Sequence, residues 1–171
     1  MRLRREQLLQ MVSAEVADRI LDSEEDLLAG RRLEVSVLSC DVVSFRPLAE
    51  QRPADSLVAL SRILRQLAPT VLAHQGTLMS FPGDGLLAVF GAPLSVPDHR
   101  LLAERAKAEI GGPALRAANA ELATLGIDPL ELQIAIASGP ATVGVIGAEP
   151  RWEYVAIGEP TSQAVAATSD G

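Results

Sequence analysis

Hydrophobic positions along the chain recur at two periods, every three to four residues and every second residue, which predict helices interleaved with strands. The first stripe lies near the N-terminus between charged neighbours and predicts an amphipathic helix that ends near Gly30; its members are Leu8, Val12, Val16 and Ile20. Residues 1–30 therefore form a unit that either packs on the domain at 33–171 or serves as a dimerising or signal-transmitting helix of an upstream module.

The next two elements are a strand and a helix. Leu33, Val35 and Val37 alternate with polar residues, so a half-buried strand runs into Cys40 and places Asp41 at its end. A helix opens at Pro53 and Asp55, and Pro69 is expected to kink or interrupt it. Its expected apolar face consists of Leu57, Leu60, Leu64 and Leu67.

The following elements complete a recognisable order. Strands at 77–81 and 86–90 flank a tight turn that contains Gly83-Asp84-Gly85. A helix runs from Pro97-Asp98 to about Leu125, with a break or bend at 111–113. Extended segments follow at 130–137, 141–146 and 152–157, the first two joined by a turn at Gly139-Pro140. The order βαββαβ plus a hairpin predicts a ferredoxin-like α+β sandwich.

This topology brings two aspartates together. The first and third strands of a βαββαβ sandwich lie side by side and antiparallel, so Asp41 and the Asp84 turn meet at one end of the sheet. Hard divalent cations bind through one or two carboxylates plus substrate phosphates, which suits a nucleoside triphosphate and its metals. The alternative for each residue alone is a structural one, with Asp41 as a strand-end cap and Asp84 as a turn residue.

Composition and charge remove several other classes of function. The 171 residues, 48% of them hydrophobic, suffice for one domain with a full core. A net charge of -7 argues against nucleic-acid or anionic membrane binding. One cysteine and two histidines cannot form a Cys/His zinc site. No apolar run approaches the roughly 18 residues of a membrane span, and a cytoplasmic location is expected.

Several strings resemble the catalytic domain of class III adenylate and guanylate cyclases, in order and over roughly 33–168. The Gly83-Asp84-Gly85 string with its hydrophobic hairpin is the most specific, and 16–21 is similar to the helix that often precedes such domains. The strings are Cys40-Asp41-Val42-Val43-Ser44-Phe45, the segment 81–93, Asp98-His99, Ser138-Gly139-Pro140, and the segments 143–147 and 151–159.

The resemblance implies a site for ATP or GTP with two Mg²⁺ or Mn²⁺ ions. In that family the aspartates that match Asp41 and Asp84, with the backbone carbonyl that matches Val42, hold the metals. The loop after the first strand presents backbone amides to the triphosphate, as a nest does for anions. Here that loop consists of Val42, Val43, Ser44, Phe45 and Arg46.

Four other family positions are changed. The purine-selecting positions fall on Ser80 and Val155, and the ribose-orienting asparagine and transition-state arginine fall on Ser162 and Ala166. The only lysine and the only asparagine of the chain, Lys107 and Asn119, lie in the long helix far from the motifs. An arginine from elsewhere could substitute, with Arg151 or Arg46 as the candidates.

The family's active site lies at a dimer interface, where one subunit supplies the metal aspartates and the other supplies the remaining groups. In each active site of a homodimer, one subunit would therefore supply the metal-binding aspartates and the other would supply the changed purine, ribose and transition-state positions. Three hypotheses follow: a weakly active or inactive regulatory, nucleotide-binding module; a working subunit that makes cyclic AMP or cyclic GMP in a heterodimer with a complementary cyclase domain; and a purely structural dimerisation domain. The resemblance also implies further strands after 168, so the sheet is expected to lack its last strands.

Overall fold

A five-stranded antiparallel sheet organises residues 2–23 and 26–169, which are the residues that the computed structural model describes. The strands are β1 (Arg31–Val42), β2 (Thr77–Ser80), β3 (Gly85–Phe90), β4 (Leu132–Ala148) and β5 (Arg151–Ile157). The helices are α1 (Arg5–Leu8), α2 (Ala14–Ser23), α3 (Phe45–Gln51), α4 (Pro53–Ala73), α5 (His99–Glu109), α6 (Leu115–Thr124) and α7 (Glu159–Thr168), with a π-helical segment at Ile110–Ala114 between α5 and α6.

The strand order β2-β3-β1-β4-β5 is the order of a ferredoxin-like α+β sandwich with one added strand, as the sequence predicted. β1 pairs antiparallel with β3 and with β4. In the β1–β3 pairing Asp41 lies opposite Gly85, so the end of the first strand meets the start of the third. This register positions the candidate site.

The sheet carries a hydrophobic layer on each face because successive side chains of a strand point to opposite sides. On one face α4 and the α5–α6 stretch cover the strands, with Leu38, Cys40, Ile63, Leu67, Phe90 and Ile110 among the buried residues. On the other face α1, α2 and α7 pack over the core, which includes Leu8, Val12, Val16, Val35, Val37, Tyr154 and Ala164.

The N-terminal stripe packs on this second face, but as two helices rather than the single helix that the sequence suggested. Leu8, Val12, Val16 and Ile20 are all buried there. The chain leaves helical geometry between α1 and α2, where the Met11 carbonyl accepts a hydrogen bond from the Leu78 amide of β2 at 2.7 Å. The Ser13 hydroxyl then accepts one from the Val16 amide at 3.3 Å, which caps the first turn of α2. Tertiary hydrogen bonds thus override the helical period.

The predicted turn at Gly139-Pro140 is wrong. β4 continues through both residues and pairs with β1 without interruption, with Pro140 opposite Glu34. A proline cannot donate to a ladder, but β4 meets β5 only from Thr142 onward, so at Pro140 one side of the strand lies outside that pairing. The two expected strands are therefore one long strand.

The helices also differ from the expectation in detail. α4 runs through Pro69 to Ala73 without interruption. Of the four expected leucines Leu67 is buried, Leu60 and Leu64 are partly buried and Leu57 is 71% exposed; the buried stripe consists of Ala59, Ile63, Leu67 and Val71. The helical stretch from α5 to α6 is continuous because the segment that contains Gly111-Gly112-Pro113 adopts π-helical geometry. Gly126, with a φ of 73°, follows the end of this stretch.

Candidate functional site

Asp41 lies near the end of β1 and Asp84 lies just before the start of β3, so both are at the same end of the sheet. The Val42 amide donates a hydrogen bond to the Asp84 carbonyl oxygen at 3.0 Å, which ties the end of β1 to the turn before β3. Both aspartates line a cleft of about 480 Å³ together with Gly83 and residues that follow β1. The two carboxylates that the sequence analysis singled out therefore share one cavity.

Gly85 makes this approach possible. A side-chain carbon at this position would meet the Cys40 carbonyl oxygen inside van der Waals contact and would lie 2.6 Å from Asp41 Oδ1. Any residue larger than glycine would push β3 away from β1 beside the carboxylate. Gly85 is thus required by the packing of the β3 backbone against Cys40 and Asp41.

The loop 42–46 divides into two parts. The Val42 amide is engaged with Asp84, and the Val43 amide donates to the Glu131 carbonyl oxygen at 2.9 Å. Ser44 then adopts a left-handed conformation with a φ of 56° and leads into α3. Ser44, Phe45 and Arg46 line the aspartate cleft, and the Arg46 side chain is 3.6 Å from Glu50. The part of the loop that faces the cleft is therefore 44–46.

Cys40 lies next to Asp41 but is not a chemical participant. Its side chain is buried on the opposite face of the sheet. Burial, with a smaller contribution from the Asp41 charge, raises the pKa of the Cys40 thiol to about 12. The thiol therefore stays protonated, and a nucleophilic role is excluded.

The donor set of the cleft suits a hard divalent cation that is shared with a phosphate ligand. Within residues 2–23 and 26–169 no three His, Cys, Asp or Glu residues are grouped as a metal site. Asp41 and Asp84 supply two carboxylates, and Mg²⁺ commonly binds through one or two carboxylates plus substrate phosphates. The residues therefore fit a metal that arrives with a nucleotide better than a metal held by protein alone.

Ser80 and Val155 lie in another part of the molecule. β2 and β5 are at opposite ends of the strand order, yet the sheet curves so that they come close to each other. Ser80 lines a cleft of about 500 Å³ between these strands, together with Arg151, Trp152 and Glu153. Val155 lies further along β5, opposite Gly144 of β4. Arg46 and Arg151, the two candidate substitute arginines, thus belong to different clefts.

Ser162 and Ala166 are exposed on α7, one helical turn apart. The helix packs through Pro160, Ala164 and Thr168, and the Ser162 hydroxyl donates to the carbonyl oxygen of Gly158, the N-cap residue of the helix, at 3.4 Å. Neither residue lines the cleft that holds the aspartates. None of the other four positions therefore lines the aspartate cleft.

Asn119 has a structural role that the sequence did not reveal. Its side chain donates to the Leu130 carbonyl at 3.0 Å and accepts from the Leu130 amide at 2.8 Å. These two bonds hold the segment that leads into β4, so the only asparagine of the chain is committed far from α7.

Ser169, which was not among the residues predicted for the site, also lines the aspartate cleft. It reaches the cleft because α7 packs against β1, where the Thr168 and Ser39 hydroxyls are hydrogen-bonded at 2.6 Å. No local pattern marks Ser169, since its position depends on how α7 docks on the sheet. None of the helices in the described part of the chain has the length and apolarity needed to cross a membrane.

Comparisons with known proteins agree with this architecture. No protein-family model matches the chain. It is 35% identical over 146 residues to Uncharacterized protein Rv1320c of Mycobacterium tuberculosis, covering 84% of this chain and 24% of that protein. It is 31% identical over 132 residues to Adenylate cyclase 1 of Rhizobium meliloti, covering 77% of this chain and 20% of that enzyme. The chain thus spans about a quarter or less of the curated relatives that it matches.

Among solved structures, the guanylyl cyclase Cya2 superimposes with a TM-score of 0.76 at 32% sequence identity, over 82% of this chain and 72% of that one.

Proposed function

Because the chain belongs to the class III adenylate and guanylate cyclase catalytic domains, we propose that it is a nucleotide-binding signalling domain that keeps the metal-binding half of the cyclase site. As a homodimer it is weakly active or inactive and acts as a regulatory module. One observation carries the proposal: Asp41 and Asp84 share a cleft with the loop after β1, while the positions for purine, ribose and transition state hold Ser80, Val155, Ser162 and Ala166.

In this proposal the chain's own residues position the triphosphate. Asp41 and Asp84, with the Val42 carbonyl, hold two Mg²⁺ or Mn²⁺ ions, and the loop at 44–46 faces the phosphates. When bound, such ions activate an attacking ribose hydroxyl and neutralise a leaving pyrophosphate. Gly85 keeps β3 close enough for both carboxylates to point into one cleft.

The remaining family positions cannot complete the reaction. Ala166 has no hydrogen-bond donor for the charge that develops in the transition state, and Ser162 is shorter than asparagine and bonds to its own helix. Removing one positioned donor of this kind costs about 10²- to 10³-fold in rate. Several such losses together account for binding without appreciable turnover.

The test is metal-dependent nucleotide binding by the isolated protein. We expect ATP or GTP to bind with Mn²⁺ and binding to fall at least about tenfold in Asp41→Asn and in Asp84→Asn, because each change removes a negative ligand of a divalent ion. Isothermal titration calorimetry with and without Mn²⁺ measures this. Asp22→Asn, an exposed aspartate on α2, is the matched control and should bind as the unchanged protein does.

Two outcomes would contradict the proposal. Rapid production of cyclic nucleotide by the purified homodimer would show that the changed positions do not limit the chemistry. If the affinity for ATP or GTP changed neither with Mn²⁺ nor with the two aspartate substitutions, the third hypothesis, a purely structural dimerisation domain, would remain.

A second candidate function is a catalytic subunit that converts ATP or GTP to cyclic nucleotide and pyrophosphate beside a complementary cyclase domain. The observation that favours it is the separation of the two groups of residues. Ser162 and Ala166 lie outside the aspartate cleft. A partner domain could therefore place its purine, ribose and transition-state groups at this cleft without contacting Ser162 or Ala166.

A further inference from the structure

The C-terminal end of α7 is fastened to the sheet beside Asp41. Successive residues of β1 face opposite sides of the sheet, so the Asp41 side chain lies on the same face as Ser39, two residues further along the strand. On that face the Ser39 hydroxyl is hydrogen-bonded to the Thr168 hydroxyl at 2.6 Å, and both side chains are buried. Ser169, the residue after Thr168, therefore follows directly on an anchor that is two strand positions from Asp41.

A second hydrogen bond anchors the same end of the helix. Gln133 of β4 lies opposite Asp41 of β1, and its side-chain amide donates to the Ala167 carbonyl oxygen at 3.2 Å. The Ser169 amide then donates to the Val165 carbonyl oxygen at 3.0 Å and closes the last turn of α7. The position of Ser169 is thus fixed by contacts with both β1 and β4.

The Ser169 hydroxyl is accessible to a ligand. Ser169 is exposed and lines the cleft that also contains Asp41 and Asp84. Within residues 2–23 and 26–169 its hydroxyl has no hydrogen-bond partner. A serine hydroxyl is a hard oxygen donor, and Ser or Thr hydroxyls bind Mg²⁺ in phosphate-binding loops. The cleft therefore offers a third side-chain oxygen besides the two carboxylates.

The end of α7 also favours a cation electrostatically. The C-terminal carbonyl groups of a helix carry a partial negative charge that attracts cations near the last turn. α7 has no basic residue in its last turn that would neutralise this charge. The same partial charge disfavours a phosphate as the neighbour of Ser169. A divalent ion is therefore the ligand that suits this end of the cleft.

We propose that Ser169 is a third protein ligand of a divalent ion that Asp41 and Asp84 hold. The hydrogen bond between Thr168 and Ser39 positions it. This assignment rests on the proposed function, which supplies the metal. It extends the site from the two strand ends to the C-terminal end of α7, so that the docking of this helix on the sheet and the binding of the metal are coupled.

The first test is the Mn²⁺-dependent affinity for ATP or GTP, measured by calorimetry. We expect Ser169→Ala to lower this affinity about three- to tenfold, the effect of losing one contact of hydrogen-bond strength. Ser169 is exposed, so the substitution should leave the fold intact, which circular dichroism and thermal unfolding verify. Ser61→Ala, which changes an exposed serine of α4, is the matched control and should bind as the unchanged protein does.

A change of metal preference separates a direct ligand from a structural residue. Ser169→Cys replaces a hard oxygen with a soft sulfur, which favours Cd²⁺ over Mn²⁺. With the same nucleotide, we expect the ratio of Cd²⁺ to Mn²⁺ affinity to rise at least about tenfold in Ser169→Cys. It should stay unchanged in Ser61→Cys. Cys40 does not interfere, because it is buried on the opposite face of the sheet.

The positioning role of Thr168 is tested by combining substitutions. Thr168→Val removes the hydroxyl that bonds to Ser39 but keeps the shape of the side chain. It should lower the Mn²⁺-dependent affinity of the otherwise unchanged protein and have no further effect when Ser169 is already alanine, because Thr168 acts through Ser169. An equal loss in both backgrounds would show that Thr168 acts independently of Ser169 and would contradict this role.

The outcomes distinguish a failure of this assignment from a failure of the proposed function. An unchanged Mn²⁺-dependent affinity in Ser169→Ala, or an unchanged metal preference in Ser169→Cys, overturns the role of Ser169. Loss of binding in Asp41→Asn and Asp84→Asn would still support the metal site in that case. If the affinity responds to neither Mn²⁺ nor the aspartate substitutions, the metal site and the role of Ser169 both fail.

Discussion

Gly85 shows how a single residue decides whether two strand ends can meet. Its lack of a side chain lets the β3 backbone approach Cys40 and Asp41. The approach of β3 to β1 at Asp41, and with it the pairing of Asp41 and Asp84 in one cleft, therefore depends on this residue.

Replacing Gly85 with alanine should damage both stability and nucleotide binding. The added carbon would clash with the Cys40 carbonyl and Asp41, and overpacking of this kind costs about 1–3 kcal/mol of unfolding free energy. Urea denaturation measures the stability, and calorimetry with Mn²⁺ and GTP measures the binding. Gly112→Ala is the control, because its added carbon would make only an ordinary contact with Arg116 at 3.6 Å. A Gly85→Ala protein as stable as the control would refute the close-approach argument.

At the scale of elements, the spacing of hydrophobic residues predicted helices and strands correctly where one face of the element is buried. It predicted β1, the β2–β3 pair and both long helical stretches. It was wrong at Gly139-Pro140 because the turn propensity of that dipeptide is outweighed by continuous pairing of β4 with β1. It predicted Leu67 on the buried face of α4 but wrongly included Leu57, which is 71% exposed; Ala59 is buried instead, in a cluster with Leu122 of α6 and Ile127.

If the role of the N-terminal helices is to pack on the sheet, removing a buried side chain from them should destabilise the domain. Ile20→Ala should lower the unfolding free energy by about 2–5 kcal/mol, the usual cost of emptying a buried isoleucine site, because Ile20 is 3% exposed. Leu9→Ala is the control, since Leu9 is 38% exposed, and it should cost under 1 kcal/mol. Thermal or urea unfolding measures both. An Ile20→Ala protein that keeps its stability but changes its oligomeric state would favour the dimerising role instead.

At the scale of the whole molecule, the curved sheet distributes the candidate residues over separate surfaces. The aspartate cleft lies where β1 meets β3, another cleft lies between β2 and β5, and α7 exposes Ser162 and Ala166. None of the residues of the last two surfaces lines the aspartate cleft. In the catalytic-subunit hypothesis, a second cyclase domain supplies the groups that complete the site.

Mixing with a complementary domain tests this division. The partner is a cyclase domain that lacks its own metal aspartates but keeps the purine, ribose and transition-state residues. We expect cyclic nucleotide to form only in the mixture, at least about 10²-fold faster than with either protein alone, because the restored donors act on the transition state. Chromatographic detection of the product measures it, and the Asp84→Asn variant of this chain is the control. If the mixture stays inactive although the two chains associate, the catalytic-subunit hypothesis fails.

The sequence by itself determined the fold class and the meeting of Asp41 with Asp84, and it supplied the prediction that Ser80, Val155, Ser162 and Ala166 occupy the family's purine, ribose and transition-state positions. These follow from strand and helix periods, from βαββαβ topology and from residue identity, which are local or topological properties. The tertiary structure alone decided that β4 is one strand, that Ser169 enters the aspartate cleft and that Arg151 and Glu153 share a cleft with Ser80. Those features depend on sheet curvature and helix docking, which arise from the packing of residues far apart in the chain and leave no local pattern.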